Sequence, residues 1–238
     1  NLLKIRKEME VTNNLFSNVV LWYYGETTSR VNGTEGSLTN VLENFNKEDG
    51  HYLTNNIWAM THMYYKLFLY YHVLGHNPQF YPRLFELLRH DPSNGMAGTV
   101  DGSEAQLHLY RKVCEAAGED LTEFFRAYGF FKPLDGFAID DYGVSKFYMT
   151  QEQIDEAIAE VKAWAAATNA KENTAVLFIN DATGETIKSH KGDNLTLYDG
   201  TTVCAEMGSY ATFGQSITNG EELEYTVSGK NVTVNAGG

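Results

Sequence analysis

The stretch Ile57-Trp58-Ala59-Met60-Thr61-His62-Met63-Tyr64-Tyr65-Lys66-Leu67-Phe68-Leu69-Tyr70-Tyr71-His72-Val73-Leu74 sets the architecture of this chain. Its apolar and aromatic residues fall on nearly every side of a helical projection. A helix of that kind belongs in the middle of a bundle or in a membrane. His62, Lys66, His72 and the many tyrosines argue against the membrane, because lipid would leave them without partners. The stretch is therefore expected to be the central helix of a helical body, capped by Asn55 or Asn56 and ended by Gly75.

Working outward, residues 11–24 read as a helix stopped by Gly25. A polar loop over 27–36 and a short helix over 38–46 follow. Asn77-Pro78 starts a helix to about His90, with proline in the first helical position. Residues 91–102 are a Pro/Gly/Ser loop, and 103–117 a helix ended by Gly118. Asp120-Leu121-Thr122-Glu123 has the form of a capping box, opening a short helix that closes at Gly129. Residues 130–149 read as irregular or extended. Thr150 and Gln153 form a second capping box before a helix over 151–168, with Ile154, Ala157, Ile158, Val161 and Trp164 on one stripe.

The composition changes near residue 170. All four prolines and all three tryptophans precede it. Beyond Asn173, short β-prone runs alternate with Gly, Asn and Asp turns: 174–180, 194–198, 201–206, 209–213, 222–228 and 230–235. Asp199-Gly200 and Ser228-Gly229-Lys230-Asn231 have hairpin character. The expected fold is α+β: an N-terminal helical bundle over 1–170, then a small C-terminal all-β, sandwich-like domain over 173–238 docked on it.

The formal net charge is −13, from 18 basic and 31 acidic residues, which argues against nucleic acid or an anionic membrane as the main partner. No segment reads as a transmembrane helix or signal peptide. The first residues, Asn1-Leu2-Leu3-Lys4, carry neither an initiator methionine nor a cleavable pattern, so a piece of a longer protein is expected. Two cysteines, Cys114 and Cys204, exclude a disulfide framework and a Cys-rich zinc site. One bridge or two buried thiols remain, the second being the simpler reading.

Most chemistry-bearing residues have an ordinary structural reading. His72 and His76 are four apart, a zinc-chelating spacing on a helix, but Val73 stands where HExxH needs its glutamate, and Gly75 frays the helix. Glu123 is explained by its capping box. Asp140-Asp141 lacks a calcium-loop pattern, and Cys114 has no activating neighbour. No GxSxG, phosphate loop or dinucleotide fingerprint occurs. Glu10-Val11-Thr12-Asn13-Asn14-Leu15-Phe16-Ser17 is different: Glu10, Asn13 and Asn14 share a helix face, a costly set to bury.

Three stretches, taken in order, resemble the enhancin-like zinc metallopeptidases of gluzincin type, which degrade mucins and other glycoproteins. They are Glu10 to Ser17; Asn56-Ile57-Trp58 through Tyr64 to Tyr70 with Phe80-Tyr81-Pro82-Arg83-Leu84-Phe85-Glu86; and Leu121-Thr122-Glu123-Phe124-Phe125-Arg126-Ala127-Tyr128-Gly129-Phe130-Phe131. They are similar to the C-terminal helical half of that catalytic domain. The resemblance implies that Glu10 is the third zinc ligand, next to two histidines and a general base from HExxH, with Asn13 or Asn14 holding it in place. It also implies a secreted or cell-surface location and a glycoprotein or glycan substrate.

The 238 residues contain no HExxH, and the nine residues before Glu10 contain no histidine. The isolated chain is therefore expected to hold no stoichiometric zinc and to cleave no mucin. Zinc belongs to an intact parent. The alternative is a non-catalytic glycan- or protein-binding, or structural, module of a bacterial surface protein. In it Tyr198, Tyr210, Phe213 and Tyr225 would stack on sugars, or else pack inward as strand residues.

Overall fold

The computed structural model describes residues 8–25, 50–54, 56–92, 100–140, 144–179, 194–198, 212–216, 224–228 and 231–235. The expected loop at 27–36, the helix at 38–46, the strand at 201–206, Tyr210, Asp141 and Cys204 lie outside them. The described residues form a mostly helical body with a small antiparallel hairpin. Helices α1 (Glu8–Tyr23), α2 (Ile57–Phe68), α3 (Phe80–His90), α4 (Val100–Ala117) and α5 (Thr122–Ala127) precede strands β1 (Leu134–Asp140) and β2 (Val144–Met149), and helix α6 (Gln151–Thr168) follows.

α2 is the central helix. Every residue from Ala59 to Phe68 is buried, and the Asn56 carboxamide accepts the Trp58 and Ala59 N–H groups at its start. Leu69–Val73 then widens into a π-helical turn, for which residue spacing holds no sign. Gly75, at φ +77°, ends the run in a conformation that glycine adopts without steric cost. Aromatic rings fill the core around α2, α4 and α5: Phe125 meets Tyr110, Phe124, Phe130 and Phe131.

Two helix starts differ from expectation. Asn77-Pro78 forms a turn before α3 rather than its first residues: Asn77 Oδ1 accepts the Gln79 N–H, and the helix begins at Phe80. At α5 only Asp120 caps, its Oδ1 accepting the Thr122 N–H at 2.9 Å. Glu123 turns away to Arg126 at 3.3 Å, so the reciprocal half of the box is absent. The box at Thr150 and Gln153 is complete, and α6 buries Ile154, Ala157 and Val161 as the stripe required.

Residues 134–149, within the stretch expected to be irregular or extended, are extended and pair as the β1–β2 hairpin with a bulge between Asp135 and Phe137. Residues 174–179 are not a strand. Ala175–Phe178 is a 3-10 turn, and the segment is packed into the helical body. Val176 and Ile179 are buried, Asn173 N–H donates to Asp120 O, and the buried Lys66 ammonium donates to Ile179 O at 3.1 Å. Further on, β3 (Asn194–Tyr198) pairs with β4 (Thr212–Ser216), and β5 (Glu224–Ser228) with β6 (Asn231–Asn235). The expected turn at Asp199-Gly200 lies outside the described residues. The Ser228–Asn231 register bears out the second hairpin. These hairpins lie among two-stranded sheets in the described residues, and a sandwich is not among them.

Candidate functional site

α1 places Glu10. Val11, Leu15 and Asn18 are buried along the stripe that packs on α2, and Trp22 closes it edge-on against Phe68 at 5.6 Å. One residue of helix is a 100° rotation, so Glu10, Asn14, Ser17 and Leu21 line one flank of that stripe. Glu10 is accordingly half-buried at the edge of the α1–α2 seam, not on the far side of the body.

Ring contacts fix which end of the seam this is. Trp22 and Tyr23 meet Phe68 and His72 at the C-terminal end of α2. α3 runs back along α2, with Phe80 on Tyr71 and the Tyr81 hydroxyl donating to Tyr64 O, and its Phe85 meets Phe16 of α1. α1 is therefore parallel to α2, and Glu10, twelve residues before Trp22, stands about 18 Å away near the Asn56 end. The 128–132 segment converges on the same end. His62 Nδ1 and the Tyr128 hydroxyl are bonded at 2.8 Å, Tyr52 N–H donates to Gly129 O, and His51 Nε2–H donates to Lys132 O at 3.1 Å. His51 Nδ1 accepts the Leu53 N–H, so the ring is the neutral Nε2–H tautomer. Burial, above all, drives its pKa down to about 3, against the upward pull of the Lys132 carbonyl.

The neighbouring amides act on the backbone of α1. Asn14 Nδ2 donates to the Glu10 carbonyl at 2.9 Å, and Ser17 Oγ to the Asn13 carbonyl at 3.3 Å; Asn13 itself is exposed. Among the described residues neither amide reaches the Glu10 carboxylate. His72 lies in the π-helical turn and His76 beyond Gly75. His72 bonds the Tyr23 hydroxyl at 2.6 Å, while His76 stacks on Tyr70 at 4.1 Å. Cys114 is buried, which pushes its thiol pKa far up. Glu123 is half-buried, and desolvation raises its carboxyl against the pull of Arg126. Asp140 is exposed. The tyrosines of the central helix, Tyr64, Tyr65, Tyr70 and Tyr71, are all core residues, at most 8% exposed.

Some polar features gave no signal in the sequence. Glu119 Oε2 accepts from the Tyr71 hydroxyl at 2.6 Å and from Asn173 at 2.7 Å, clamping the segment after α6 onto the π-helical turn. Among the described residues, the buried Gln106 carboxamide and Asn18 Nδ2 have no hydrogen-bond partner. Each arises from which elements come together, which local spacing does not encode.

A solved metallopeptidase in complex with Tn antigen superposes with TM-score 0.66 at 19% identity, over 98% of this chain and 51% of its own length. A metallopeptidase from Bacteroides thetaiotaomicron gives TM-score 0.63 at 22% identity, over 98% of this chain and 38% of its own. At these identities the likeness is one of fold, and the chain spans about half or less of each relative. No curated protein sequence matches it. The sequence profile for peptidase M60, enhancin and enhancin-like, matches residues 4–129, and the chain belongs to that family.

Membership implies zinc in the intact enzyme. The residues described here do not build such a site: no group of three or more His, Cys, Asp or Glu side chains converges among them, whereas a catalytic zinc needs three protein ligands. No described helix is long and apolar enough to cross a membrane.

Proposed function

We propose that these residues are the C-terminal part of a zinc endopeptidase acting on glycoproteins such as mucins, and that Glu10 is its third metal ligand. The two histidines and the general base would come from an HExxH segment outside the 238 residues. The observation that carries this reading is the family match across Glu10, together with the half-buried place of Glu10 at the open edge of α1. Asn14 would keep α1 regular under the ligand by holding the Glu10 carbonyl. The 173–238 region would be an accessory β unit, sandwich-like, with its first residues to Ile179 packed on the helical body. A secreted or cell-surface location follows from the kind of substrate. The neighbouring structure that carries Tn antigen supports a glycan-bearing substrate for this chain too.

Zinc supplies a polarised water in such enzymes; the contribution of this chain is to hold one carboxylate at a fixed place. Alone, the chain should be inactive. Metal analysis of the purified 238 residues should find well under one zinc per chain and no mucin cleavage. In a protein that also carries the histidines, Glu10→Gln should abolish tight zinc retention. One firmly held zinc in the isolated chain, or undiminished zinc in the Gln variant, would refute the assignment.

A further inference from the structure

The segment after α6 is built into the body as a strap. Asn169, at φ 59°, turns the chain back from the helix in the left-handed conformation. Asp120 then grips the chain with both backbone groups: its N–H donates to Lys171 O at 2.8 Å, and its carbonyl accepts the Asn173 N–H at 2.9 Å. Val176, Leu177 and Ile179 are buried, and the Ile179 carbonyl accepts from the Lys66 ammonium. Lifting that carbonyl is costly, because a buried cation loses an acceptor.

The side-chain contacts of the strap converge on the π-helical turn. Asn173 Nδ2 donates to the Tyr70 hydroxyl at 3.2 Å and to Glu119 Oε2 at 2.7 Å. The same carboxylate oxygen accepts from the Tyr71 hydroxyl at 2.6 Å. Tyr70 and Tyr71 are consecutive residues of the turn. Its wide bonding shows in the Leu74 N–H, which donates to Leu69 O at 2.9 Å. Such turns are rare and persist where the surroundings fix them. Relaxing this one to α-helical bonding would swing the rings at its end by about 100°, one residue's rotation. His72 is one of those rings. It stacks on Phe68 and is bonded to the Tyr23 hydroxyl, so the turn also fixes the end of α1.

We propose that residues 170–179 are a latch on the π-helical turn. Seated, the strap holds Leu69–Val73 in its widened register and, through His72 and Tyr23, holds the C-terminal end of α1. Lifted, it frees the turn to α-helical bonding and releases the contact between His72 and Tyr23. The latch is the covalent lead into residues 180–238, so a load or a ligand on that region reaches α1 along this route. The latch works whether or not Glu10 carries a metal, so its test and the zinc test can fail separately.

The test is amide hydrogen exchange of the 238-residue chain, followed by mass spectrometry across urea concentrations below global unfolding. Amides of 69–74 and 174–179 should open together, at a lower free energy than those of 107–114 in α4. Asn173→Ala removes both side-chain donors and should speed exchange in the two segments about 10-fold, with 107–114 unchanged. Asn173→Asp sets a like charge against Glu119 and should speed it further. In both variants the NMR signals of the His72 ring should shift as Tyr23 leaves it. In Gln151→Ala, at an exposed position that starts α6, they should stay. Separate openings of the two segments in the unmodified chain would overturn the proposal. So would faster exchange at 174–179 with 69–74 and His72 unchanged, which would make the strap an attachment only. Uniform acceleration through α2, α4 and α6, or no change in either segment, would overturn it as well.

Discussion

Replacing Asp120 with alanine should cost about 2–3 kcal/mol at pH 7. Its carboxylate is 3% exposed. Oδ1 accepts the Thr122 N–H at 2.9 Å and the Thr122 hydroxyl, and Oδ2 accepts from Lys162 Nζ at 2.7 Å. Loss of the helix cap accounts for about 1 kcal/mol, and loss of the bond from the buried hydroxyl for about 1 more. Lys162 is 43% exposed, so the ion pair is discounted for solvent screening to about 0.5 kcal/mol. In a body of this size the melting temperature should fall by about 5–10 °C. Asp120→Asn keeps the acceptor and loses only the charge, so it should cost under about 1 kcal/mol. The pH dependence follows from the same contacts. Burial pushes the carboxyl up, but the bonds from Lys162 and Thr122 outweigh it and hold the folded pKa below the usual range. The folded state therefore binds this proton less readily than the unfolded chain. The contribution of Asp120 is complete above the unfolded value of about 4 and is lost as pH falls through the lower folded value. Urea unfolding followed by tryptophan fluorescence, at pH 7 and from pH 5 to 2, measures both effects. A cost under about 0.5 kcal/mol for the alanine variant, or an unchanged acid limb in Asp120→Asn, would refute the reasoning.

His51 should make stability fall as pH drops from 6.5 towards about 3, by up to about 1.4 kcal/mol per pH unit, because the unfolded chain takes up a proton that the buried ring refuses. His51→Gln should flatten that stretch of a denaturation-versus-pH series. Cys114 should resist a thiol reagent in the native protein and react on unfolding, as mass mapping of the modified peptide would report; labelling of the native state would contradict its burial. Thr150→Ala removes the side-chain acceptor of the Gln153 N–H and should cost about 1 kcal/mol, measured by thermal unfolding.

What could be read along the chain was what short-range physics decides. The α6 helix, its capping box and its stripe follow from spacing over a few residues, as do the stops at Gly75, Gly118 and Gly129, each with positive φ. The burial of 59–71 followed from a helix with no polar face. The misses have a common cause. At Asp120, two acceptor patterns compete, and Glu123 goes to Arg126 because that arginine is one turn away. Residues 174–179 have strand propensity, but Asn173, Glu119 and Lys66 tie them to a helical surface, and tertiary contact overrides propensity. The 134–149 stretch was read as irregular or extended without its hairpin pairing, because a bulge at Gly136 breaks the period-two alternation. At the candidate site the position of Glu10 was legible; the direction in which Asn14 bonds, towards the backbone and not the carboxylate, was not.

If Glu10 is the proposed metal ligand, its place separates metal binding from folding. The core is built from α2, α4 and α5 rings, while Glu10 is half-buried at the margin of α1 and its carboxylate has no described protein partner. Among the described residues, no packing contact depends on its charge. Glu10→Gln preserves side-chain volume and the Asn14 bond to the carbonyl, so it should change unfolding free energy by under about 0.5 kcal/mol, the range of surface substitutions. A scaffold that folds without its metal holds the ligand ready, and ordering entropy need not be supplied by zinc, unlike small domains whose fold is the metal site. Urea midpoints of the native chain and the Gln variant decide this. A loss above about 2 kcal/mol would mean the carboxylate belongs to the fold, and its role as a displayed metal ligand would lose its physical basis.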